Sequence, residues 1–483
     1  MSNNYTILGF GKSAKSALDF LLEAEHKVRI YDSKQRGDFD PRTLAEYEAS
    51  GVEFELGSAS LPGVDVGCDA AIQFIVSPGI PPSSRIIKDL EKKGIDFKTD
   101  LDLFTEALPR EEKYIAVTGT NGKTTTTALI AHTFDTQGIG NIGKPFLDFQ
   151  ELSSPYVCEL SSFQIFYSEL RRLPDIAVHL NLTDDHLDWH DSLDEYKQTK
   201  ARLFVNSKEE RFSILNFDDK TTKELGEKLL RTRRTEDKSQ VLFFSTKTVL
   251  DKPAPTTAYI KDSRIYLALA LEAGQDPDPE LGGMVNSNAD GDYFLEIPVI
   301  KLEELNLVGD HNHSNVLAAL LASFSSGLHP EIIAEKLKTF EAVPHRLEFV
   351  TELSGHKIYN DSKATNPDSA IRAIESFTKP IAIIGGKNKN LELSAFLDLA
   401  AEKCEAIVAI GELKEAISTY LQKKSFSKLK LADSLKEALS FAMAFGEGNE
   451  APILLSPASS SFDMFKSYED RGDQFKDLVI QYN

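Results

Sequence analysis

The chain has 483 residues, which is too long for one hydrophobic core, and a prior of about 150 residues per domain favours three domains. Its net charge of -21 argues against nucleic acid or an anionic membrane surface as a general partner. Three widely spaced cysteines, Cys68, Cys158 and Cys404, are typical of core thiols in a reducing cytosol. The sequence contains no signal-peptide core and no apolar run of membrane-spanning length, so we expect a cytoplasmic protein.

The first segment, residues 1–101, opens with a strand at 5–8 that runs into Gly9-Phe10-Gly11 and an apolar-periodic helix. A second strand ends at Asp32, so the segment matches a dinucleotide fingerprint, with a glycine turn and an acid about 20 residues later. NAD is one possible ligand, although this pattern requires only a phosphate or a closely packed helix after the strand. A third strand, 70–76, runs into Ser77-Pro78-Gly79 at the edge where open α/β sheets bind ligands.

The central segment, residues 102–343, contains a phosphate-binding loop. An apolar strand at 114–117 precedes Gly119-Thr120-Asn121-Gly122-Lys123-Thr124, and a helix follows. Glycines allow backbone N–H groups to surround a phosphate at the helix start, Lys123 would reach the outer phosphates, and the Thr124 hydroxyl would bind Mg²⁺. Val117 stands where the full consensus has a glycine, and the alternative is a glycine turn with a chance lysine.

Two later strands end in metal-binding residue types. Glu159 ends a strand at 156–160, where a carboxylate is well placed to hold a metal. Asp184, Asp185 and His186 follow a strand at 175–180, and burying so many polar groups would be costly without a cation. The alternative for this second group is a solvated acidic turn.

Ser192 to Glu195 predicts a capping box that opens a helix carrying Tyr196, Lys200 and Phe204. From its position alone, Lys200 is a surface lysine. Weaker signals follow: strands at 213–216 and 241–244, a hairpin at 258–266, an acidic loop at 274–292, and a helix that begins near Asn312.

The last segment, residues 344–483, opens with Pro344-His345-Arg346. Three of its strands, at 358–360, 381–384 and 454–455, each run into a polar loop. Strands that alternate with helices predict a parallel sheet, with these loops at its ligand-binding edge.

Seven motifs, taken in chain order, resemble those of the Mur ligases. They are Gly-Thr-Asn-Gly-Lys-Thr at 119–124, Gly-Asn-Ile-Gly at 140–143, Glu-Leu-Ser-Ser-Phe-Gln at 159–164, Asp-Asp-His-Leu-Asp at 184–188, Pro-His-Arg at 344–346, Asn-Asp-Ser-Lys-Ala-Thr-Asn at 360–366 and Ser-Pro-Ala-x-x-Ser-Phe-Asp at 456–463. No single motif is specific, but the set spans all three segments. The resemblance implies three α/β domains: a Rossmann-like N-terminal domain at 1–101, a central phosphate-loop ATPase at 102–343 and a Rossmann-like C-terminal domain at 344–483.

Within the family, the resemblance is closest to the members that add D-glutamate to UDP-N-acetylmuramoyl-L-alanine through an acyl phosphate during peptidoglycan synthesis. It implies ATP as co-substrate, two Mg²⁺ ions and a monomer, with neither nucleic acid nor a membrane as partner. The nearest alternatives are a Mur ligase that adds another residue or L-glutamate, and a folylpolyglutamate synthetase. A nucleotide-dependent binding protein without ligase activity and an NAD dehydrogenase are alternatives of other classes.

The resemblance also implies roles for particular residues. Catalytic roles fall on Lys123, Asn141, His186, Lys200 and Arg346. The metal ligands would be Thr124, Glu159, His186 and Lys200, the last as a carbamylated lysine. ATP would contact Gly119, Thr120, Asn121, Gly122, Lys123, Thr124, Thr125, Asn312, Arg346, Asp361 and Lys363. The UDP substrate would contact Gly11, Lys12, Ser13, Asp32, Ser33, Lys34, Ser77, Gly79, Asn141 and Ser161. D-glutamate would contact Thr365, Lys389, Ser461 and Tyr468, although Tyr468 stands where the family often has phenylalanine.

Overall fold

The computed structural model of the chain describes residues 3–58, 72–141, 143–183, 189–247, 256–271, 276–287, 291–307, 309–341, 343–388 and 392–482. The chain divides into two compact units. The first comprises Met1–Lys301 and Ser314–Leu337, and the second comprises Leu302–His313 and Lys338–Asn483. The first unit contains two sheets, of five and ten strands, and the second contains one sheet of six strands. Helices pack on these sheets, which confirms the α/β class.

The five-stranded sheet is parallel throughout, in the order β3-β2-β1-β4-β5. Its strands are β1 Asn4–Leu8, β2 Lys27–Asp32, β3 Glu53–Leu56, β4 Ile72–Val76 and β5 Phe97–Lys98. Its helices are α1 Lys12–Glu23, α2 Pro41–Ala49, α3 Arg85–Lys93 and α4 Asp100–Ala107. Both faces of the sheet are covered, because Ile7 and Leu8 belong to two different buried clusters. The predicted strand–turn–helix arrangement around Gly9 is confirmed.

The ten-stranded sheet has the order β14-β15-β13-β12-β11-β10-β9-β6-β8-β7. Its strands are β6 Tyr114–Thr118, β7 Gly138–Gly140, β8 Tyr156–Glu159, β9 Ile176–His179, β10 Phe212–Asn216, β11 Gln240–Ser245, β12 Thr256–Lys261, β13 Arg264–Ala270, β14 Met284–Ser287 and β15 Tyr293–Lys301. The helices that accompany them are α5 Lys123–Thr133, α6 Ser162–Tyr167, α7 Leu193–Ala201, α8 Lys220–Thr232, α9 Asp310–Ser325 and α10 Pro330–Thr339. Pairing is parallel from β7 to β12 and antiparallel from β12 to β14, so the predicted hairpin is confirmed.

Two local predictions for this sheet are wrong. The sequence predicts a loop over residues 274–292, but the described part contains β14, which pairs with β15. The side chains of β14 are mostly exposed, so the strand has no alternation of burial that a sequence pattern could reveal. The helix predicted to carry Phe204 ends at Ala201, and Phe204 instead stacks on the ring of His179, with ring centroids 5.6 Å apart.

The six-stranded sheet of the second unit has the order β16-β17-β21-β18-β19-β20. Its strands are β16 Glu348–Leu353, β17 His356–Asn360, β18 Ile381–Gly385, β19 Ala406–Ile410, β20 Leu429–Leu431 and β21 Ile453–Leu455. Its helices are α11 Pro367–Glu375, α12 Ser394–Lys403, α13 Lys414–Lys423, α14 Leu435–Gly446 and α15 Tyr468–Ile480. The parallel prediction holds except at the edge, where β16 and β17 form an antiparallel hairpin.

Two composition-based expectations concern thiols and membranes. Cys158 and Cys404 are buried free thiols, as predicted, and burial raises the pKa of Cys404 to about 12. Cys68 lies outside the described residues. None of the helices in the described ranges is long and apolar enough to span a membrane.

Candidate active site

The phosphate loop joins β6 to α5 and has the backbone that its glycines predict. Gly119 and Gly122 adopt φ angles of 150° and 85°, which side-chain-bearing residues rarely adopt. A Cβ atom at Gly122 would also come within 2.4 Å of Asn315 Oδ1, so only glycine fits there. Asn181 braces the loop, because its Oδ1 accepts from the Asn121 N–H over 2.9 Å and its Nδ2 donates to the Asn121 carbonyl over 3.0 Å.

Lys123 and Lys200 converge on this loop. Lys123 Nζ donates to the carbonyl oxygens of Gly119 and Thr120, each over 2.8 Å. Lys200 Nζ donates to Gly119 O over 3.2 Å and to Thr118 Oγ1 over 3.3 Å, and it lies 4.7 Å from the Tyr196 ring centroid. Lys200 is only 1% exposed, so the alternative of a surface lysine is wrong.

The start of α7 explains how Lys200 is directed inward. Ser192 caps the helix by accepting from the Glu195 N–H, as predicted. The reciprocal half of the capping box is not formed, because the Glu195 carboxylate accepts from the Asp191 N–H over 3.0 Å and contacts His190. Two turns after the cap, Lys200 therefore lies on the buried face, which it shares with Tyr196.

Glu159 and Asn141 form the best candidate for part of a metal site. Asn141 Nδ2 donates to Glu159 Oε1 over 2.7 Å, and the Asn141 N–H donates to the Glu159 carbonyl over 3.0 Å. The second carboxylate oxygen, Oε2, is buried and has no hydrogen-bond partner among the residues that the structure describes. A buried carboxylate oxygen without a partner is costly, and together with the Thr124 hydroxyl at the start of α5 it offers the hard oxygen donors that Mg²⁺ prefers.

The predicted ligand His186 lies outside the described residues, as do the rest of 184–188. Within the described ranges, no group of three or more His, Cys, Asp or Glu side chains is arranged to hold a metal. Thr124 and Glu159 supply oxygen donors of the kind that Mg²⁺ prefers, whereas Lys200 would become such a donor only as a carbamate.

His179 was not anticipated from the sequence. It ends β9 next to Thr118, is 1% exposed, and both of its ring nitrogens lack hydrogen-bond partners among the described residues. Burial, and to a smaller extent the charges of Lys200 and Lys123, lower its pKa to about 3, so the imidazole is neutral. A histidine within an apolar strand resembles a core residue, and only its proximity to two lysines distinguishes it.

The loops of the first sheet gather several predicted substrate contacts. Asp32 Oδ2 accepts from the Phe10 N–H over 2.7 Å and so braces the glycine turn, and its Oδ1 accepts from the Lys34 N–H over 2.9 Å within the loop after β2. Ser77 Oγ is buried without a partner among the described residues. Lys12 Nζ donates to the Gly143 carbonyl over 2.5 Å, which links this edge to the loop after Asn141.

The other predicted substrate contacts near this edge of the sheet have different neighbours. Ser13 forms a hydrogen bond with Asp100, whose pKa burial raises to about 6. A Cβ at Gly11 or Gly79 would meet no atom within 4 Å, so space for a ligand exists beside both. Ser161 caps α6 in a capping box with Gln164, so its hydroxyl already serves the helix.

In the second unit, two hydrogen bonds hold the carboxyl group of Asp361. Its Oδ2 accepts from Ser456 Oγ over 2.8 Å and its Oδ1 accepts from the Leu347 N–H over 3.2 Å. Burial raises the pKa of Asp361 to about 7, against the opposing effects of these hydrogen bonds and of Arg346 and Arg471. A group that titrates near neutral pH, in a loop that the sequence predicts to contact a ligand, is a candidate functional residue.

Arg346 lies between two residues with unusual backbone conformations. His345 and Leu347 have φ angles of 65° and 44°, a region that costs a non-glycine residue about 1 kcal/mol or more. Asn360 stabilises this turn by donating to His345 Nδ1 and to Glu348 Oε2, each over 3.0 Å. The turn therefore presents Arg346 from a fixed backbone.

The chain is similar to known proteins in each of its three segments. Three family models match: the MurD-like N-terminal domain of Mur ligases at 3–98, the Mur ligase middle domain at 117–323, and the Mur ligase glutamate ligase domain at 345–458. UDP-N-acetylmuramoylalanine--D-glutamate ligase from Pelotomaculum thermopropionicum is 35% identical over 98% of this chain and 96% of its own length. The ligase of the same name from Thermoanaerobacter sp. is 34% identical over 98% and 97%.

The chain belongs to the Mur ligase family.

Solved structures of other Mur ligases have the same fold. The UDP-N-acetylmuramate-alanine ligase from Thermotoga maritima covers all of this chain and is covered completely by it, with a TM-score of 0.55 at 17% identity. The match to MurF from Acinetobacter baumannii covers 98% of this chain and 93% of MurF, with the same TM-score and identity. The predicted organisation into N-terminal, middle and C-terminal α/β domains is thereby confirmed.

Each unit of this Mur ligase brings several of the predicted site residues together. The first unit brings Lys123, Thr124 and Lys200 to the end of β6, with Asn141 and Glu159 on the neighbouring strand ends. The second unit brings Asp361, Lys363 and Tyr468 together, with Lys363 Nζ 5.3 Å from the Tyr468 ring centroid. Thr365 and the buried Ser461 lie on loops of the same unit, and Lys389 lies outside the described residues.

Proposed function

We propose that this Mur ligase joins D-glutamate to UDP-N-acetylmuramoyl-L-alanine and converts ATP to ADP and phosphate. The observation that supports this most directly is near full-length likeness, at 32–35% identity, to several UDP-N-acetylmuramoylalanine--D-glutamate ligases. The product is an amide in the peptidoglycan precursor. The family's other acceptors are less well supported, because the relatives named above at 32–35% identity carry the D-glutamate name, whereas the alanine ligase and MurF are only 17% identical to this chain.

The chemistry begins with a poor electrophile. A carboxylate must first be activated, so a carboxylate oxygen of the UDP substrate attacks the γ-phosphorus of ATP, and ADP leaves. The D-glutamate amine then attacks the carbonyl carbon of the acyl phosphate, loses a proton and expels phosphate. Negative charge accumulates on the transferring phosphoryl group, and nearby cations stabilise it most effectively where water is excluded.

We assign the charge-stabilising roles to Lys123 and Arg346. Lys123 would contact the outer phosphates, and its present hydrogen bonds to loop carbonyls hold its ammonium group at the phosphate loop. Arg346 would supply a further positive charge from its fixed turn. Asn312, Asp361 and Lys363 would complete the ATP contacts, together with the phosphate-loop residues Gly119 to Thr125.

Mg²⁺, once bound, would neutralise phosphate charge and orient the transferring group. Thr124, Glu159 and Lys200 are its proposed protein ligands in the described residues, with His186 as a fourth, and we propose two ions. Lys200 would serve as a ligand after its amine reacts with CO₂ to form a carbamate. Asn141 would orient Glu159 and contact the reacting substrate.

The remaining assignments concern the substrates at either end. Residues 1–101 would bind the UDP end, residues 102–343 would bind ATP, and residues 344–483 would bind the amino acid. The loops around Gly11, Asp32 and Ser77 would hold the UDP end, and Thr365, Lys389, Ser461 and Tyr468 would hold D-glutamate. We further propose that the protein is a cytoplasmic monomer, as the resemblance to the Mur ligases implies.

Mass spectrometry of a reaction with ATP, Mg²⁺, UDP-N-acetylmuramoyl-L-alanine and D-glutamate tests the proposal. We expect an amide product that contains one glutamyl residue, with equimolar ADP and phosphate. A parallel reaction with L-glutamate should give far less product. ATP hydrolysis without amide formation, or a preference for L-glutamate, would overturn the proposal.

A further inference from the structure

Arg471 is completely buried near the start of α15, at 0% exposure. Its side chain reaches two loops that belong to different halves of the proposed chemistry. The nucleotide loop, residues 361–363, follows β17, and the amino-acid loop, residues 457–463, follows β21. The sequence motifs include both loops but not Arg471.

The guanidinium group binds both loops at once. Arg471 Nε donates to Ser362 Oγ over 2.8 Å, and Nη2 donates to the Ser362 carbonyl over 2.7 Å. On the other side, Nη1 and Nη2 both donate to the Ser459 carbonyl over 3.2 Å. One planar group therefore fixes the distance between a backbone position in the nucleotide loop and one in the amino-acid loop.

Secondary hydrogen bonds tie the same atoms to the rest of the unit. Ser362 Oγ donates to the carbonyl of Tyr468, the first residue of α15, over 2.8 Å. Ser459 Oγ donates to the Lys387 carbonyl over 2.5 Å. The two serines are thus connected to α15 and to the loop after β18, so a shift of either loop would strain several contacts.

The arrangement is energetically expensive. No carboxylate in the described residues forms an ion pair with Arg471, and burial lowers its pKa to about 10, with Asp463 and Asp361 opposing the shift. Burying a cation against neutral oxygens costs more than burying an apolar side chain of the same size. The guanidinium is nevertheless suited to this position, because a rigid fork of five N–H donors can serve several acceptors in fixed directions.

We propose that Arg471 is a positioning residue that holds the nucleotide loop and the amino-acid loop in a single arrangement, so that the sites for ATP and for the incoming amino acid form together. The proposal rests on the proposed function, which places ATP at the first loop and D-glutamate at the second. Arg471 itself touches neither ligand and acts through Ser362 and Ser459.

Arg471→Lys is the main test, because it keeps the charge but removes the fork. Because hydrogen bonds made by a charged group are lost, we expect the KM values for ATP and D-glutamate to rise together by about tenfold or more. The KM for the UDP substrate should change by less than about twofold, since no predicted contact to that substrate is altered. A rise in only one of the first two constants, or a lower Tm with both constants unchanged, would overturn the proposal.

Hydrogen–deuterium exchange provides a readout that does not depend on the substrates. In Arg471→Lys, amides of the nucleotide loop and of the amino-acid loop should both exchange faster, whereas faster exchange in one loop alone would contradict a shared anchor. Arg172→Lys is the matched control, because Arg172 also donates to backbone carbonyls, those of Leu108, Pro109 and Glu112, but lies in the first unit. It should leave exchange in both loops unchanged.

Ser362→Ala provides a milder variant if Arg471→Lys does not fold. It removes the hydroxyl that accepts from Nε but keeps the Ser362 carbonyl, so both loops should exchange faster to a smaller extent. Unchanged exchange in the amino-acid loop would refute the coupling. If the native protein forms no amide product, the proposed function fails, while the exchange measurements still decide whether Arg471 couples the loops.

Discussion

Lys123 and Lys200 donate hydrogen bonds to the same atom, the carbonyl oxygen of Gly119, over 2.8 and 3.2 Å. Two ammonium groups that share one acceptor repel each other, and the repulsion is stronger in a buried site than in water. An anion at this position would relieve it, either a phosphate of ATP or a carbamate formed on Lys200. The phosphate loop is therefore electrostatically prepared for negative charge before a ligand binds.

Replacing Lys123 with alanine should abolish formation of the acyl phosphate and leave binding of the UDP substrate largely intact. Removing one group that stabilises charge in the transition state typically lowers kcat by about 10² to 10³. Rapid-quench detection of the acyl phosphate and calorimetric titration of the UDP substrate measure the two effects. Lys220→Ala, at a side chain that is 88% exposed, is the control. Wild-type turnover in Lys123→Ala would show that the loop is not catalytic.

Lys200→Ala should remove nearly all activity, and a small carboxylate such as acetate or formate should restore part of it. Because the side chain is buried against Tyr196, the alanine variant also leaves a cavity, so it should be less stable than the native protein. Lys200→Met fills most of that space and should keep the stability while remaining inactive. Turnover with and without added carboxylate, Tm, and the mass of the native side chain are the measurements. Near-normal activity in either variant would refute the ligand role.

Asn141→Ala should weaken Mg²⁺ binding and leave the fold intact. Its amide directs Glu159 through a 2.7 Å hydrogen bond, and loss of a partner that orients a metal ligand typically costs about 10- to 100-fold in metal affinity. We expect the Mg²⁺ concentration for half-maximal activity to rise accordingly. Because Asn141 is also a proposed substrate contact, Glu159→Gln is the companion variant. An unchanged Mg²⁺ requirement in both would exclude Glu159 as a metal ligand.

Asp361 should make both stability and ATP binding depend on pH. Its pKa is about 7 in the folded protein and 3.8 as the ordinary value, so the folded state binds the extra proton between these two values. Protonation of Asp361 therefore stabilises the folded state fully below pH 3.8. This stabilisation is lost as the pH rises through 7, because the free energy of unfolding falls by about 1.4 kcal/mol for each pH unit between the two pKa values. Denaturation of the native protein at pH 5 and 8.5 should show this loss, and Asp361→Asn should lack it.

The same carboxyl group should act in the opposite direction on ATP affinity. An ionised Asp361 is a better acceptor for a nucleotide hydroxyl than a protonated one, so ATP binding should strengthen as the pH rises from 6 to 8. Titration of ATP across that range, with Asp361→Asn in parallel, tests this. A pH profile shared by both proteins would assign the dependence to another group.

The first sheet should bind UDP and not NAD. Asp32 braces the glycine turn by accepting from the Phe10 N–H, and it also accepts from the Lys34 N–H in its own loop. Direct titration with UDP and with NAD distinguishes the ligands. Asp32→Ala should weaken UDP binding by about tenfold, because the Phe10 N–H then loses its charged acceptor. Tight NAD binding without UDP binding would overturn the assignment.

The sequence alone determined the parts of this protein that depend on local chemistry. A strand, a glycine turn and a helix start identified the phosphate loop in the sequence. The structure agrees with this prediction, because Gly119 and Gly122 adopt φ angles that other residues rarely adopt. The ordered motifs identified the Mur ligase family, and alternating apolar strands and helices predicted parallel sheets. The division into domains at 101 and 343, and the residue roles implied by the resemblance, stay predictions.

Only the tertiary structure decided which side chains meet and which are buried. Lys200 looks like a surface lysine on a helix, but it is buried, and its side chain reaches Thr118 at the end of β6. Strand β14 has no sequence pattern, since it is defined by pairing with β15 at an exposed edge. Arg471 lies more than 100 residues from Ser362, and no local pattern can predict that its guanidinium holds two loops, because that contact depends on how distant strands of one sheet are ordered.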